Sequence, residues 1–92
     1  MQTVAFDLTA TEWTEILGGN SWLKLQVKTS NRVRLHLNDS ATAPALNAAF
    51  FLVESFAPAW DFFIDDVTGS GRIWARADET PAIVTVARKT AA

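Results

Sequence analysis

The chain has 92 residues, 49% of them hydrophobic, with no cysteine, a formal charge of −2 and a pI near 5.1. These figures bound one small domain with enough apolar material for a core, and they exclude a disulfide framework, a thiolate metal site and a cysteine nucleophile. The acidic balance argues against nucleic acid as the partner, because phosphate binding needs a net basic face.

Residues 1–92 read as a single domain without linker, repeat or low-complexity segment. The opening MQTVAFDLTATEW lacks the basic residues and apolar run of a signal peptide. The longest apolar run falls far short of the ~20 residues of a membrane span. A soluble, non-secreted chain, not in contact with a membrane, is the expectation.

Taken in chain order, TVAFDL alternates Val4, Phe6 and Leu8 with Thr3, Ala5 and Asp7, a half-buried strand. TATEWTEILGG offers two readings. Thr9 and Glu12 make a capping box ahead of Trp13, Ile16 and Leu17 at helical spacing, whereas a strand would end at Gly18-Gly19; context favours the strand. WLKLQVK and RVRLHLN both alternate, with the three residues TSN between them. They are expected to form a hairpin that pairs Val27 with Val33, Leu25 with Leu35 and Leu23 with Leu37. TAPALNAAFFLVESF is expected to open with a helical turn after Pro44 and to run as a strand from about Ala49 to Phe56.

The segment FFIDDVTGSGRIWARADET suggests a second hairpin. A loop over 66–71 would set Ile64 against Ile73, Phe62 against Ala75 and Trp60 against Ala77 on the inner face. The outer face would then match Asp65 with Arg72, Phe63 with Trp74 and Asp61 with Arg76, cross-strand pairs of ~0.2–1 kcal/mol each. A turn at DETP would add the last strand, pairing Ile73 with Val86 and Ala75 with Val84 inside, and Arg76 with Ile83 and Trp74 with Thr85 outside. About eight short strands at this spacing indicate an all-β antiparallel sandwich, jelly-roll-like.

Residues with chemistry are few. The lone His36 falls on the outer face of a strand beside Arg34 and opposite Lys24, without a companion acid or ligand set. Asp61, Asp65 and Asp66 lack the spacing of a calcium loop, and two of them have expected arginine partners. The Gly69–Gly71 turn has no lysine or following helix to cradle phosphate. Lys24, Lys28, Arg32 and Arg34 gather on the outer face of the first expected hairpin, as a solvated face or as a contact for an acidic partner. Of the four tryptophans, Trp60 fits the core, Trp13 is ambiguous, and Trp22 and Trp74 point outward. A patch of Phe63, Trp74 and Ile83, framed by Asp61, Asp65, Arg72 and Arg76, suits burial against another subunit. Outward tryptophans also suit stacking on sugar rings, which keeps a carbohydrate-binding module open through Trp22 or Trp74.

The opening VAFDLTATEWTEIL, the strand VRLHL and the closing GRIWARADETPAIVTVA resemble the small β-sandwich virion proteins of tailed phages and gene transfer agents. The match is most specific over Gly71 to Ala87. The resemblance implies a non-enzymatic virion subunit: a capsid-bound decoration, a spike or fibre base, or a neck or tail component. It also implies symmetric self-assembly, docking on a capsid or other virion protein, and location in the particle. It carries over no catalytic residue, metal or cofactor.

Overall fold

Eight strands form, and they alternate between two antiparallel sheets. The computed structural model describes residues 2–18, 21–28, 32–54, 60–64 and 71–89, and no helix occurs among them. The strands are β1 (Gln2–Leu8), β2 (Thr14–Gly18), β3 (Ser21–Val27), β4 (Val33–Asn38), β5 (Phe51–Val53), β6 (Trp60–Ile64), β7 (Arg72–Ala77) and β8 (Ala82–Lys89). Sheet A has the order β1-β8-β3-β6, and sheet B the order β2-β7-β4-β5. This is the jelly-roll order, and the all-β sandwich expected from the strand spacing is what the chain adopts.

The pairing is nested. β1 lies beside β8, β2 beside β7, β3 beside β6 and β4 beside β5. The chain is therefore one long hairpin with its tip between β4 and β5, rolled so that successive pairs land in opposite sheets. Rolling adds the ladders β3–β8 and β4–β7. Only the β4–β5 connection stays within one sheet; the other six cross the sandwich.

That winding overturns the three expected hairpins. Leu23, Leu25 and Val27 do not pair with Leu37, Leu35 and Val33: β3 belongs to sheet A and β4 to sheet B. β6 pairs with β3, not with β7, so the Asp61–Arg76 and Phe63–Trp74 ladder pairs do not form. β7 and β8 likewise lie in different sheets. The physical reason is common to all three. Alternation fixes which face of a strand is apolar, and two apolar faces are satisfied equally well side by side or across a sandwich. With Leu25 and Leu35 both fully buried, the core is built by facing rather than by neighbouring.

The core comprises Leu8, Ile16, Leu17, Leu23, Leu25, Val33, Leu35, Val53, Ile73, Val84 and Val86, all essentially inaccessible, each contributing roughly 1.5–3 kcal/mol. Ala75, Ala77 and Ala82 fill the narrow places between them. β2 is a strand and not a helix. Its register against β7 shifts between Glu15 and Leu17, a bulge that leaves Ile16 and Leu17 both buried as consecutive residues. The bulge explains why the spacing resembled a helical one. At the sandwich end near the termini, Arg88 joins the sheets: its Nη1 donates to Ile16 O at 2.7 Å, its Nε donates to Gln2 Oε1 at 2.9 Å, and its guanidinium lies over Phe6.

Candidate functional site

β7 carries the densest pattern of function-bearing residues, and both of its faces are buried. Ile73, Ala75 and Ala77 point into the core, as alternation requires, and Trp74 and Arg76 point away from it. Yet Trp74 and Arg76 are each only 6% exposed. Two connections cover them. The first is residues 9–13 between β1 and β2, held to the end of β7 by the Ala77 amide donating to Thr9 O at 3.0 Å. The second is residues 39–50, the tip of the long hairpin.

The tip is held by its backbone. Trp13 Nε1 donates to Ala45 O at 3.0 Å, Arg76 Nη2 donates to Leu46 O at 2.9 Å, and His36 Nδ1 lies 2.6 Å from Ala49 O. Three side chains from three elements thus meet three carbonyls of one segment. Arg76 also donates through Nη1 to Ala10 O at 2.6 Å and lies over the Trp13 ring, 5.1 Å from its centroid. The Trp13 and His36 rings are tilted against each other at 5.8 Å. Trp74 Nε1 donates to Asn38 Oδ1 at 3.0 Å, at the point where β4 gives way to the tip.

The electrostatics of this face centre on arginine. Arg34 and Arg76 are direct cross-strand partners, a like-charge pair that needs a counter-ion. Asp78 supplies it: its Oδ1 is 2.5 Å from Arg34 Nε, and its Oδ2 is 3.8 Å from Arg32 Nε. Burial, and then the Arg34 charge, hold the Arg76 guanidinium below its usual value, with Asp78 opposing them. Arg76 Nε is buried without a hydrogen-bond partner. The guanidinium nonetheless stays charged, so this face holds a desolvated cation against an indole and two carbonyls.

The residues singled out in the sequence are scattered. Phe63 and Asp61 lie on β6 and Ile83 on β8, all in sheet A, whereas Trp74, Arg72 and Arg76 lie on β7 in sheet B. They form no single patch, because the chain crosses the sandwich between β6 and β7 and again between β7 and β8. Ile83 is 40% exposed on its own sheet. Arg72 pairs with Glu15, Nε to Oε1 at 2.9 Å, through the β2–β7 ladder. Asp65, Asp66 and Gly69 lie outside the described residues, as do the side chains of Trp22, Trp60, Asp61, Phe62, Phe63 and Ile64. The basic face divides too. Lys24 and Lys28 are exposed on the sheet A side, and Arg32 and Arg34 on the sheet B side share Asp78. His36 stands opposite Trp74, not Lys24.

One surface escaped sequence reasoning. Leu46, Phe50, Phe51 and Leu52 are 49, 44, 65 and 37% exposed, at a corner of sheet B where Phe51 and Leu52, opposite Leu35 and Arg34, point to the two faces of their strand. β5 is the edge strand there. The Arg34 guanidinium lies over the Phe50 ring, 4.2 Å from its centroid, which fixes that side chain at the rim. The legible signal was the run AAFFLV over residues 48–53, six apolar residues in succession where the other apolar runs stop at three. Among the described residues no group of three His, Asp or Glu side chains is placed to hold a metal ion. Comparison with protein-family models, curated proteins and solved structures gives no match.

Proposed function

We propose that the chain is a non-enzymatic structural subunit of a virion, a capsid-bound decoration or spike-base piece, that assembles through the apolar corner of sheet B. The observation that carries this reading is the 65% exposure of Phe51 on an edge strand, with its chain neighbours Phe50 and Leu52 also exposed. An edge strand presents unpaired backbone groups, and β5 neither carries a charge nor contains proline to blunt its edge. A second copy of the chain is the occupant that fits: two β5 edges related by a two-fold axis would pair and bury the same apolar residues on both sides. A domain of this size gains stability from such burial. The jelly roll is also an architecture of viral capsid domains, which supports the reading by analogy of fold alone.

The glycan reading has less behind it. Trp74, the tryptophan it relied on among the described side chains, has no open ring face in this conformation.

The test is the solution mass of the purified chain by light scattering, wild type against Phe51→Asp. The reading expects a defined oligomer that falls to the 10.1 kDa monomer in the variant with unchanged circular dichroism. A wild-type monomer at every accessible concentration, or an oligomer indifferent to Phe51→Asp, contradicts assembly through this corner.

A further inference from the structure

The hairpin tip, residues 39–50, buries none of its own side chains: each is exposed or half-buried. The residues at its underside are the reverse: Trp13 and Arg76, which donate to its carbonyls, and Trp74, which donates to Asn38 at its root, are only 6–7% exposed. Its contacts to sheet B and to Trp13 include the three side-chain contacts to its carbonyls at Ala45, Leu46 and Ala49, the Arg34–Phe50 stacking, and Ser40 N donating to Asn38 Oδ1 at 3.2 Å at its root. Within the segment, a single backbone hydrogen bond, Ala48 N to Ala45 O at 3.0 Å, is of the turn type. A segment with so little apolar burial of its own belongs to the low-stability end of a fold. Lifting it would return backbone freedom to a dozen residues. The donors left behind would meet water, so none would be stranded dry.

We infer that residues 39–50 form a strap that lifts from sheet B as a unit while the sandwich stays folded, uncovering Trp13, Trp74, His36 and Arg76. The strands beneath do not depend on it, because Leu35, Ile73, Ala75 and Ala77 are buried from the other side. Arg76, with its unpartnered Nε and its lowered affinity for the proton, is the group most relieved by opening. The opened face sets two indole rings beside a guanidinium and an imidazole, groups that stack on a flat ligand and pair with an anion. The strap includes Leu46 and Phe50 of the apolar corner, so the test is read on the dilute monomeric chain, where assembly does not hold the strap down.

Hydrogen exchange of the whole chain, followed by NMR, tests it. The Trp13 indole N–H donates to a strap carbonyl and reports the strap, whereas the protected backbone amides of β3 and β8 report the sandwich. The indole proton is expected to be at least about a hundredfold less protected than those amides, and nearly indifferent to low urea while the amides respond to it. Pro44→Gly, which loosens the open strap, should speed indole exchange several-fold and leave the β3–β8 amides unchanged. Equal protection and equal urea dependence of indole and amides would overturn the inference. So would a Pro44→Gly variant in which both shift together, because the strap would then belong to the global folding unit.

Discussion

The two faces of β7 are buried to nearly the same degree by opposite means. On the inner face, Ile73, Ala75 and Ala77 meet apolar side chains of both sheets, and many dispersed contacts share the burial. On the outer face, Trp74 and Arg76 lie under two connections, residues 9–13 and 39–50. The second of these has only exposed or half-buried side chains and is held by a handful of polar contacts. Accessible area does not separate these cases. The number and kind of contacts do, and they imply that the inner face fails only with the whole domain while the outer face fails locally.

Substitutions that sharpen this contrast rank by mechanism. Leu25→Ala or Leu35→Ala opens a cavity between the sheets and should lower stability by about 2–5 kcal/mol, read as a fall in the urea midpoint at constant slope. Arg76→Ala leaves the carbonyls of Ala10 and Leu46 without their donor and removes the guanidinium that lies over Trp13. Its expected cost is about 1–3 kcal/mol, with Arg76→Met losing less because its apolar stem is kept. Trp13→Phe deletes one donor to the strap and should cost about 1 kcal/mol, while near-ultraviolet circular dichroism shows the core intact. Glu15→Gln breaks the Arg72 pair, whose partners are 24 and 42% exposed. It should change stability by under about 0.5 kcal/mol, less still at high salt. An outer-face variant costing as much as Leu25→Ala would erase the distinction between the two faces.

Much of the fold was legible because alternation is a strong signal. Val33, Leu35, Ile73, Val84 and Val86 were assigned to the interior, and each is fully buried. Pairing was not legible. The sequence neighbours β3 and β4, β6 and β7, and β7 and β8 were read as hairpins, and each pair is split between the sheets. The connection TSN is as short as a hairpin loop, so length did not distinguish a turn within a sheet from a crossing between sheets. At the candidate site, Trp74 and Arg76 were correctly read as pointing away from the core, but their cover was invisible. Ala45, Leu46 and Ala49 contribute backbone carbonyls to it, which any residue type supplies. A strap held by its carbonyls leaves no pattern in its side chains. The corner at Phe51 was missed for a different reason: its apolar run was weighed as a membrane segment and as a strand from about Ala49 to Phe56, and not as a surface.

The central claim is that residues 39–50, which close the outer face of β7 together with residues 9–13, act as one segment held at several points. A double-mutant cycle on His36→Phe and Arg76→Met tests it most directly. Each change keeps an apolar side chain and deletes the contact to a different strap carbonyl, Ala49 or Leu46. If one strap carries both, losing either contact loosens what the other holds. The double variant should then be more stable than the sum of the single losses predicts, by about 1 kcal/mol in urea denaturation. Losses that add to within ~0.3–0.5 kcal/mol would mean that the two contacts act independently, and that residues 39–50 do not act as one strap.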